Sequence, residues 1–389
     1  MRAEPFTIAI PQPDLDDLRR RLAATRWADD FGNADWRYGV ERDWLAEMVA
    51  YWRDRFDWRA QEAAMNQYPH YRVEVQGIPI HFLHVPGQGP QPKPLLLTHG
   101  WPWTFWDFKD LIGPLTNPAA YGGSPDDAFD LVIPSLPGFG FSTPLRTTGI
   151  DATRIADLWV ELMRDVLGYS RFAAAGGDWG ALITGWLGHA HAEHLIGIYL
   201  TMAMVPGLDL RTLTPGDFGP DEQWMPVRDA AAYSSIISHV TVHSTDPQTL
   251  AYALADSPVG TAAWLWERRR AWSDCQGDLL SVHNRDFLCT LASVYWLTGS
   301  IGTSLRLYFE HFGKTGWVLP KAHDRLPAIE APVGYAIFPQ DVMHLPRALV
   351  EARTNLRRWT VMPGGGHFGP AEKPHWVTHE LQEFFRGLR

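Results

Sequence analysis

The sequence predicts an α/β fold with a mostly parallel central sheet, an inserted helical lid and a helical N-terminal extension. Three observations predict it. Short apolar runs at 95–98, 129–133, 172–175 and 197–201 are separated by loops or helical stretches. Strands that carry helices on both faces read in this way. Strand-like sequence then disappears between about 206 and 320, and residues 1 to about 70 show helical spacing. The expected division is 1–70 for the extension, 71–205 for the first part of the core, 206–320 for the lid and 321–389 for the rest.

Each element has its own signal. Leu15, Leu18 and Leu22 share a helical face, with Asp14 placed as a cap and Arg19 to Arg21 on the solvent side. Trp36, Trp44, Trp52 and Trp58 punctuate a second amphipathic region. From Tyr71 the period becomes two, and 71–75 and 78–85 alternate around Gln76-Gly77 as a hairpin. Residues 150–167 read as a helix with Ile155, Leu158, Leu162 and Val166 on one face. Within the lid, 230–237, 247–254, 261–272 and 286–297 read as helices. Strands at 333–338 and 358–362 complete the sheet, and a helix at 376–385 closes it.

Composition narrows the function. A hydrophobic share of 46% with 20% charged residues describes an ordinary globular protein. The net charge of −10, with no dense basic patch, argues against nucleic acid as a partner. No window approaches the roughly 18 apolar residues of a membrane span. The first residues also lack a signal peptide's basic start and apolar run. A cytoplasmic protein without a membrane anchor is therefore expected, and a homo-oligomer is compatible with the sequence. Cys275 and Cys289 allow at most one disulfide, which fits a reducing compartment. Most of the nineteen tryptophans should be core. Trp101, Trp103, Trp106 and Trp179 crowd the motif residues, however, and with Phe139 predict an aromatic-lined pocket. Five lysines against twenty-nine arginines suggest a GC-rich bacterial gene.

Gly176-Gly177-Asp178-Trp179-Gly180 follows the apolar run 172–175 and precedes a helical stretch. A small-x-nucleophile-x-small pentapeptide at a strand-to-helix turn is the nucleophile elbow of the α/β-hydrolase fold. Here aspartate stands where many hydrolases keep serine. A carboxylate at that place attacks carbon and forms an alkyl ester, which points to opening an epoxide or displacing a halide. Breaking the ester needs a base held by a carboxylate, in the order nucleophile, acid, histidine. Asp341 follows the strand ending at Phe338, and His367 follows the strand ending at Met362 with Gly364 to Gly366 freeing its loop. The developing oxyanion needs backbone donors, for which the amides of Trp101, in His99-Gly100-Trp101-Pro102, and Trp179 are candidates. A cis bond before Pro102 is one way to turn the Trp101 amide inward.

At this point the chain resembles the epoxide hydrolases of the microsomal and juvenile-hormone branch, including soluble bacterial relatives. The N-terminal stretch 15–27, His-Gly-Trp-Pro at 99–102, the segment 134–142 and Gly-Gly-Asp-Trp-Gly at 176–180 carry the likeness. So do Asp-Ser-Pro-Val-Gly at 256–260, Tyr-Trp-Leu-Thr-Gly at 295–299, Phe-Pro-Gln-Asp at 338–341 and Gly-Gly-His-Phe at 365–368. The resemblance implies conversion of an epoxide and water to a vicinal diol without cofactor, and the aromatic pocket and helical lid suggest an apolar or aromatic epoxide. It also implies two lid tyrosines that protonate the epoxide oxygen. One matches Tyr308, while the other's place is held by His239. Imidazole titrates near physiological pH, so His239 as second acid would make ring opening more sensitive to pH. Tyr233 or Tyr295 are alternative donors, or one tyrosine suffices.

Rival readings are a haloalkane dehalogenase, which also uses an elbow aspartate, and a non-hydrolytic epoxide-opening cyclase in natural-product tailoring. Tyr308 favours the epoxide, because a halide needs no proton on leaving. His189, His191 and His194 do not converge on one helical face, so a solvated surface is expected rather than a metal site. Thr298-Gly-Ser300-Ile-Gly302 imitates a serine elbow but follows helical sequence.

Overall fold

Every residue of 172–176 is buried, and this central strand delivers the chain directly to Asp178. The computed structural model describes residues 2–316 and 318–388. Among these, one sheet contains β1 (Glu4–Phe6), β2 (His70–Val75), β3 (Ile78–Val85), β4 (Lys93–Thr98), β5 (Phe129–Pro134), β6 (Phe172–Gly176), β7 (Leu195–Leu200), β8 (Ile329–Ile337) and β9 (Thr354–Val361). The spatial order is β1-β2-β3-β5-β4-β6-β7-β8-β9. The β1–β2, β2–β3 and β3–β5 pairs are antiparallel, and all pairs from β5–β4 onward are parallel. Helix Trp179–Ala190 lies against the sheet with ten of its residues buried. Its sequence is apolar nearly all round because both its faces are covered.

Between β7 and β8 the chain leaves the sheet to form helices Trp224–Thr245, Pro247–Asp256, Pro258–Trp272, Arg285–Leu297 and Ile301–Thr315. The expected strands and helices are present, most with ends displaced by up to four residues, but the expected helix 230–237 is part of the much longer Trp224–Thr245. The expected helix at 150–167 is α-helical only over Ala152–Glu161 and continues as a wider turn over Leu162–Val166.

The N-terminal segment touches both core and lid. Its β1 pairs with β2, a strand too short to leave a periodic signal. Leu15, Leu18 and Leu22 are buried on helix Gln12–Ala23, whose N-cap is Pro11 rather than Asp14. The proline sits at the start of the helix, leaving Asp14 within the first turn. Helix Arg42–Asp54 packs under the lid: Trp44 and Trp52 lie on Trp266 at 6.0 and 5.9 Å between ring centres. Tyr51 Oη donates to Asp286 at 2.7 Å, and Trp52 Nε1 donates to Ser293 at 2.9 Å. Cys275 and Cys289 are buried free thiols. Among the described residues, no helix is long and apolar enough to cross a membrane.

Candidate active site

Asp178 occupies the turn between β6 and helix Trp179–Ala190 with φ 52° and ψ −126°. Few non-glycine residues adopt positive φ, and such a residue at a turn of this kind is held there by its surroundings. The surroundings leave no alternative. A Cβ on Gly180 would stand 1.9 Å from the Thr98 carbonyl, and one on Gly176 would stand 2.4 Å from the Gly180 carbonyl. A Cβ on Gly100 would stand 2.2 Å from Asp178 Oδ1, so the carboxylate lies directly against the loop after β4.

That contact brings the carboxylate to a donor. The Trp101 amide donates to Asp178 Oδ1 at 2.7 Å, and the Trp101–Pro102 bond is cis. Trp179 opens the helix, where the first amides have no partner within the helix. His99, which the sequence reading did not single out, braces this loop. Its Nδ1 donates to the Gly100 carbonyl at 2.9 Å, and its Nε2 accepts from the Leu136 amide at 3.1 Å. Burial holds its pKa down to about 4, so the ring is neutral and keeps this tautomer.

His367 lies between two carboxylates. Its Nδ1 donates to Asp341 Oδ1 at 2.7 Å, and that oxygen also accepts from the Val342 amide at 2.7 Å. Its Nε2 is 3.2 Å from Asp178 Oδ2 but off the line of a hydrogen bond, leaving this buried nitrogen without an aligned partner. Burial lowers the imidazole pKa, and Asp341 with Asp178 more than reverses this, to about 9. The resting ring is therefore an imidazolium at neutral pH.

Tyr308, on helix Ile301–Thr315, is 3% exposed and stands edge-on to Trp179 at 4.7 Å between ring centres. Burial, then the Asp178 charge, pushes its pKa well above the usual phenol value; a hydrogen bond with Trp179 and the Arg268 charge oppose them. His239, on helix Trp224–Thr245, lies flat on Trp101 at 5.1 Å and 5.4 Å from the Tyr308 ring. The surroundings of His239 bear on the expectation of a pH-sensitive second acid. Burial, His243 and Arg268 depress its pKa well below 6.5. Its Nδ1 faces the Ser235 carbonyl at 3.4 Å, so the ring proton sits there and Nε2 carries a lone pair. His239 is thus a neutral ring at rest that borders the cavity. Tyr295 is not a substitute donor, because its hydroxyl donates to the Trp103 carbonyl at 2.8 Å. Tyr233 is 61% exposed at the cavity edge.

Asp178, Trp179, His239 and Tyr308 border a cavity of about 460 Å³. Its apolar wall includes Met202, Met204, Phe218, Trp272 and Phe312. Trp103, Trp106 and Phe139 do not line it, contrary to expectation. Trp103 packs behind His367 and Phe368, Trp106 against Tyr68 and Phe105, and Phe139 against His99 and Tyr295. Proximity in sequence to the motif placed these rings under the loops of Asp178 and His367, while most of the cavity wall comes from the lid.

The decoys separate. His189 is buried, not solvated as expected, and its Nδ1 bonds the Ala328 carbonyl at 2.5 Å. His191 and His194 face Asp157 and Arg164 instead. Among the described residues no cluster of His, Cys, Asp and Glu has the arrangement of a metal site. Ser300 is fully buried and its hydroxyl accepts from Thr298.

The lid also grips the catalytic loops. Arg228 donates to the carbonyls of Asp341 and Gln340 at 3.0 and 2.8 Å, and Asp229 accepts from His344 Nδ1 at 2.6 Å. The buried Arg269 pairs with Asp107 and lies 3.9 Å over the Phe368 ring. An arginine in a helical stretch gives no sequence signal that separates this position from a solvated one.

Comparison with known proteins accords with this geometry. Residues 3–108 match the model of the epoxide hydrolase N terminus, and residues 93–226 match that of the alpha/beta hydrolase fold. Epoxide hydrolase 1 of Oryctolagus cuniculus is 34% identical over 98% of this chain and 88% of its own. Juvenile hormone epoxide hydrolase 2 of Ctenocephalides felis is 31% identical over 97% and 84%. The crystal structure of juvenile hormone epoxide hydrolase from Bombyx mori superposes with a TM-score of 0.86 at 26% identity, covering 99% of this chain and 95% of that one. With the strand-to-helix turn at Asp178, the sheet order and these full-length likenesses in agreement, the chain belongs to the epoxide hydrolase family, built on the α/β-hydrolase fold.

Proposed function

We propose that the protein opens an apolar or aromatic epoxide to a vicinal diol through an alkyl ester on Asp178. One observation carries the reading: a carboxylate, not a hydroxyl, sits at the strained turn between the Trp101 amide and the His367 ring. Asp178 attacks an epoxide carbon, the carbon–oxygen bond breaks, and Tyr308 gives its proton to the departing oxygen. Its high pKa keeps that proton in place until the Asp178 charge, which helps raise it, is consumed.

Ester formation also prepares the second step. With Asp178 neutralised, one of the two carboxylates that hold His367 protonated is gone, its pKa falls, and its imidazolium proton passes through water to the Tyr308 tyrosinate. Neutral His367 takes a proton from water as the water oxygen bonds the Asp178 carbonyl carbon. The amides of Trp101 and Trp179 receive the oxyanion. The ester bond then breaks, the alkoxide takes the proton from His367, and the proton left on the Asp178 carboxyl returns to His367, restoring the resting imidazolium. Asp341 holds the ring throughout. No second acid is needed, and His239 contributes a neutral ring to the wall.

The test is intact mass on His367→Gln exposed to epoxides and haloalkanes. Loss of the base should trap the ester, adding the mass of a whole epoxide, and Asp178→Ala should add nothing. An alkyl group lacking its halogen would assign dehalogenation instead.

A further inference from the structure

The lid's helix Pro258–Trp272 ends against the loop that presents His367. The His367 amide donates to the Trp272 carbonyl at 2.9 Å, and the Gly365 amide donates to Asp274 Oδ2 at 2.9 Å. In the other direction, the Asp274 amide donates to Glu372 Oε2 at 2.8 Å. Glu372 also accepts from the Gly366 amide through Oε2 and from the Phe368 amide through Oε1, each at 3.0 Å. One carboxylate thus gathers the amides on both sides of His367 together with an amide of the lid. A Cβ on Gly366 would stand 2.5 Å from the Trp272 carbonyl, so loop and lid are as close as their backbones permit.

Neither Glu372 nor Asp274 borders the cavity, so neither meets substrate. The groups that serve ring opening are Asp178 and Tyr308, and neither bonds to this carboxylate. His367 depends on it from both flanks. The His367 ring also rests on Trp272, at 5.2 Å between centres. A displaced Glu372 would therefore let the base tilt while the nucleophile and the acid stay in place.

We propose that Glu372 is a positioning residue for the base: it ties the loop 365–368 to the lid junction 272–274 and thereby sets the rate of ester hydrolysis without setting the rate of ester formation. The inference rests on the two-step reading above. It makes the lid part of the hydrolytic machinery at this edge, in addition to its role as a cover.

The two steps have separable kinetic signatures. kcat/KM reports events up to the first irreversible step, whereas a slowed second step lowers kcat and KM together. With styrene oxide as probe, Glu372→Gln and Glu372→Ala should lose kcat by about 10- to 100-fold, the scale on which small misplacements of catalytic groups act. KM should fall in parallel, kcat/KM should stay within about twofold, and intact mass after rapid quenching should show the ester as the main species. Asp274→Ala, which removes only the Gly365 bond, should show the same signature at smaller size. It decides the matter if the Glu372 variants fail to fold. A loss of kcat/KM without trapped ester in the folded variants would overturn the proposal and leave Glu372 a structural residue. His367→Gln serves as the reference. If it traps no epoxide while wild type turns styrene oxide over, the two-step reading falls and this inference with it. If it traps ester and the folded Glu372 and Asp274 variants do not, only the inference falls.

Discussion

On the core side of the active site, Asp178, Asp341 and His367 each stand within six residues of a strand end. On the lid side, Tyr308 and His239 project from long helices and are fixed by neighbouring rings. The core positions its groups with backbone: a forced turn at Asp178, an amide at 2.7 Å, paired loops in which the Gln340 amide donates to the Gly365 carbonyl. The lid positions its groups with side-chain packing. Packing tolerates exchange of one shape for another, whereas a backbone turn tolerates little. Replacements on the lid should thus retune the reaction, and replacements on the core should stop it.

The sharpest test of that contrast is Tyr308→Phe, which keeps the ring and removes the proton. Loss of a general acid costs about 10²- to 10⁴-fold, and here it should appear in kcat/KM with no trapped ester. A loss equal to that of Asp178→Ala would break the distinction between the two sides.

A smaller effect is expected from pH on the core side. Burial lowers the His367 pKa, but its two carboxylates raise it to about 9, so the folded state binds that proton more tightly than the unfolded state. The resulting stabilisation is complete below about pH 6.5 and is lost as pH rises through about 9. Melting temperature should therefore fall between pH 6.5 and 9 more steeply in wild type than in Asp341→Asn. Equal slopes would mean that Asp341 does not hold the proton.

The smallest effect separates wall from foundation. Trp106→Phe should cost about 1–3 kcal/mol of stability and leave the preference among epoxides unchanged. Phe312→Leu, in the cavity wall, should change that preference, as relative kcat/KM across a series of epoxide sizes would show.

The same contrast explains what was legible in the sequence. The elbow, the hairpin and the loops of Asp341 and His367 are local patterns, readable because a few consecutive residues dictate the backbone. The pocket wall was misassigned because Trp103, Trp106 and Phe139 are neighbours of the motifs in sequence but lie beneath them in space. Tyr308 stands out in the sequence only through resemblance, since helical spacing alone marks it as packing. His239 stands out in the sequence in the same way, but its neutral state does not. Its neutrality depends on burial beside His243 and Arg268, and no spacing along the chain reveals that neighbourhood. Arg228, Arg269 and Glu372 carry no signal of their own in the sequence for the same reason.

The N-terminal segment bears on how the chain is made. Tyr51 and Trp52 find their partners 235 and 241 residues later, in the lid. At synthesis rates of about 5–20 residues per second, these aromatic side chains emerge roughly 10–50 s before the surface that will cover them. For that interval the nascent chain carries an uncovered sticky segment, ready for a chaperone or for a neighbouring chain on the same message. Yield on expression should therefore respond to the pace of translation across the lid, even though every residue concerned lies outside the catalytic cavity.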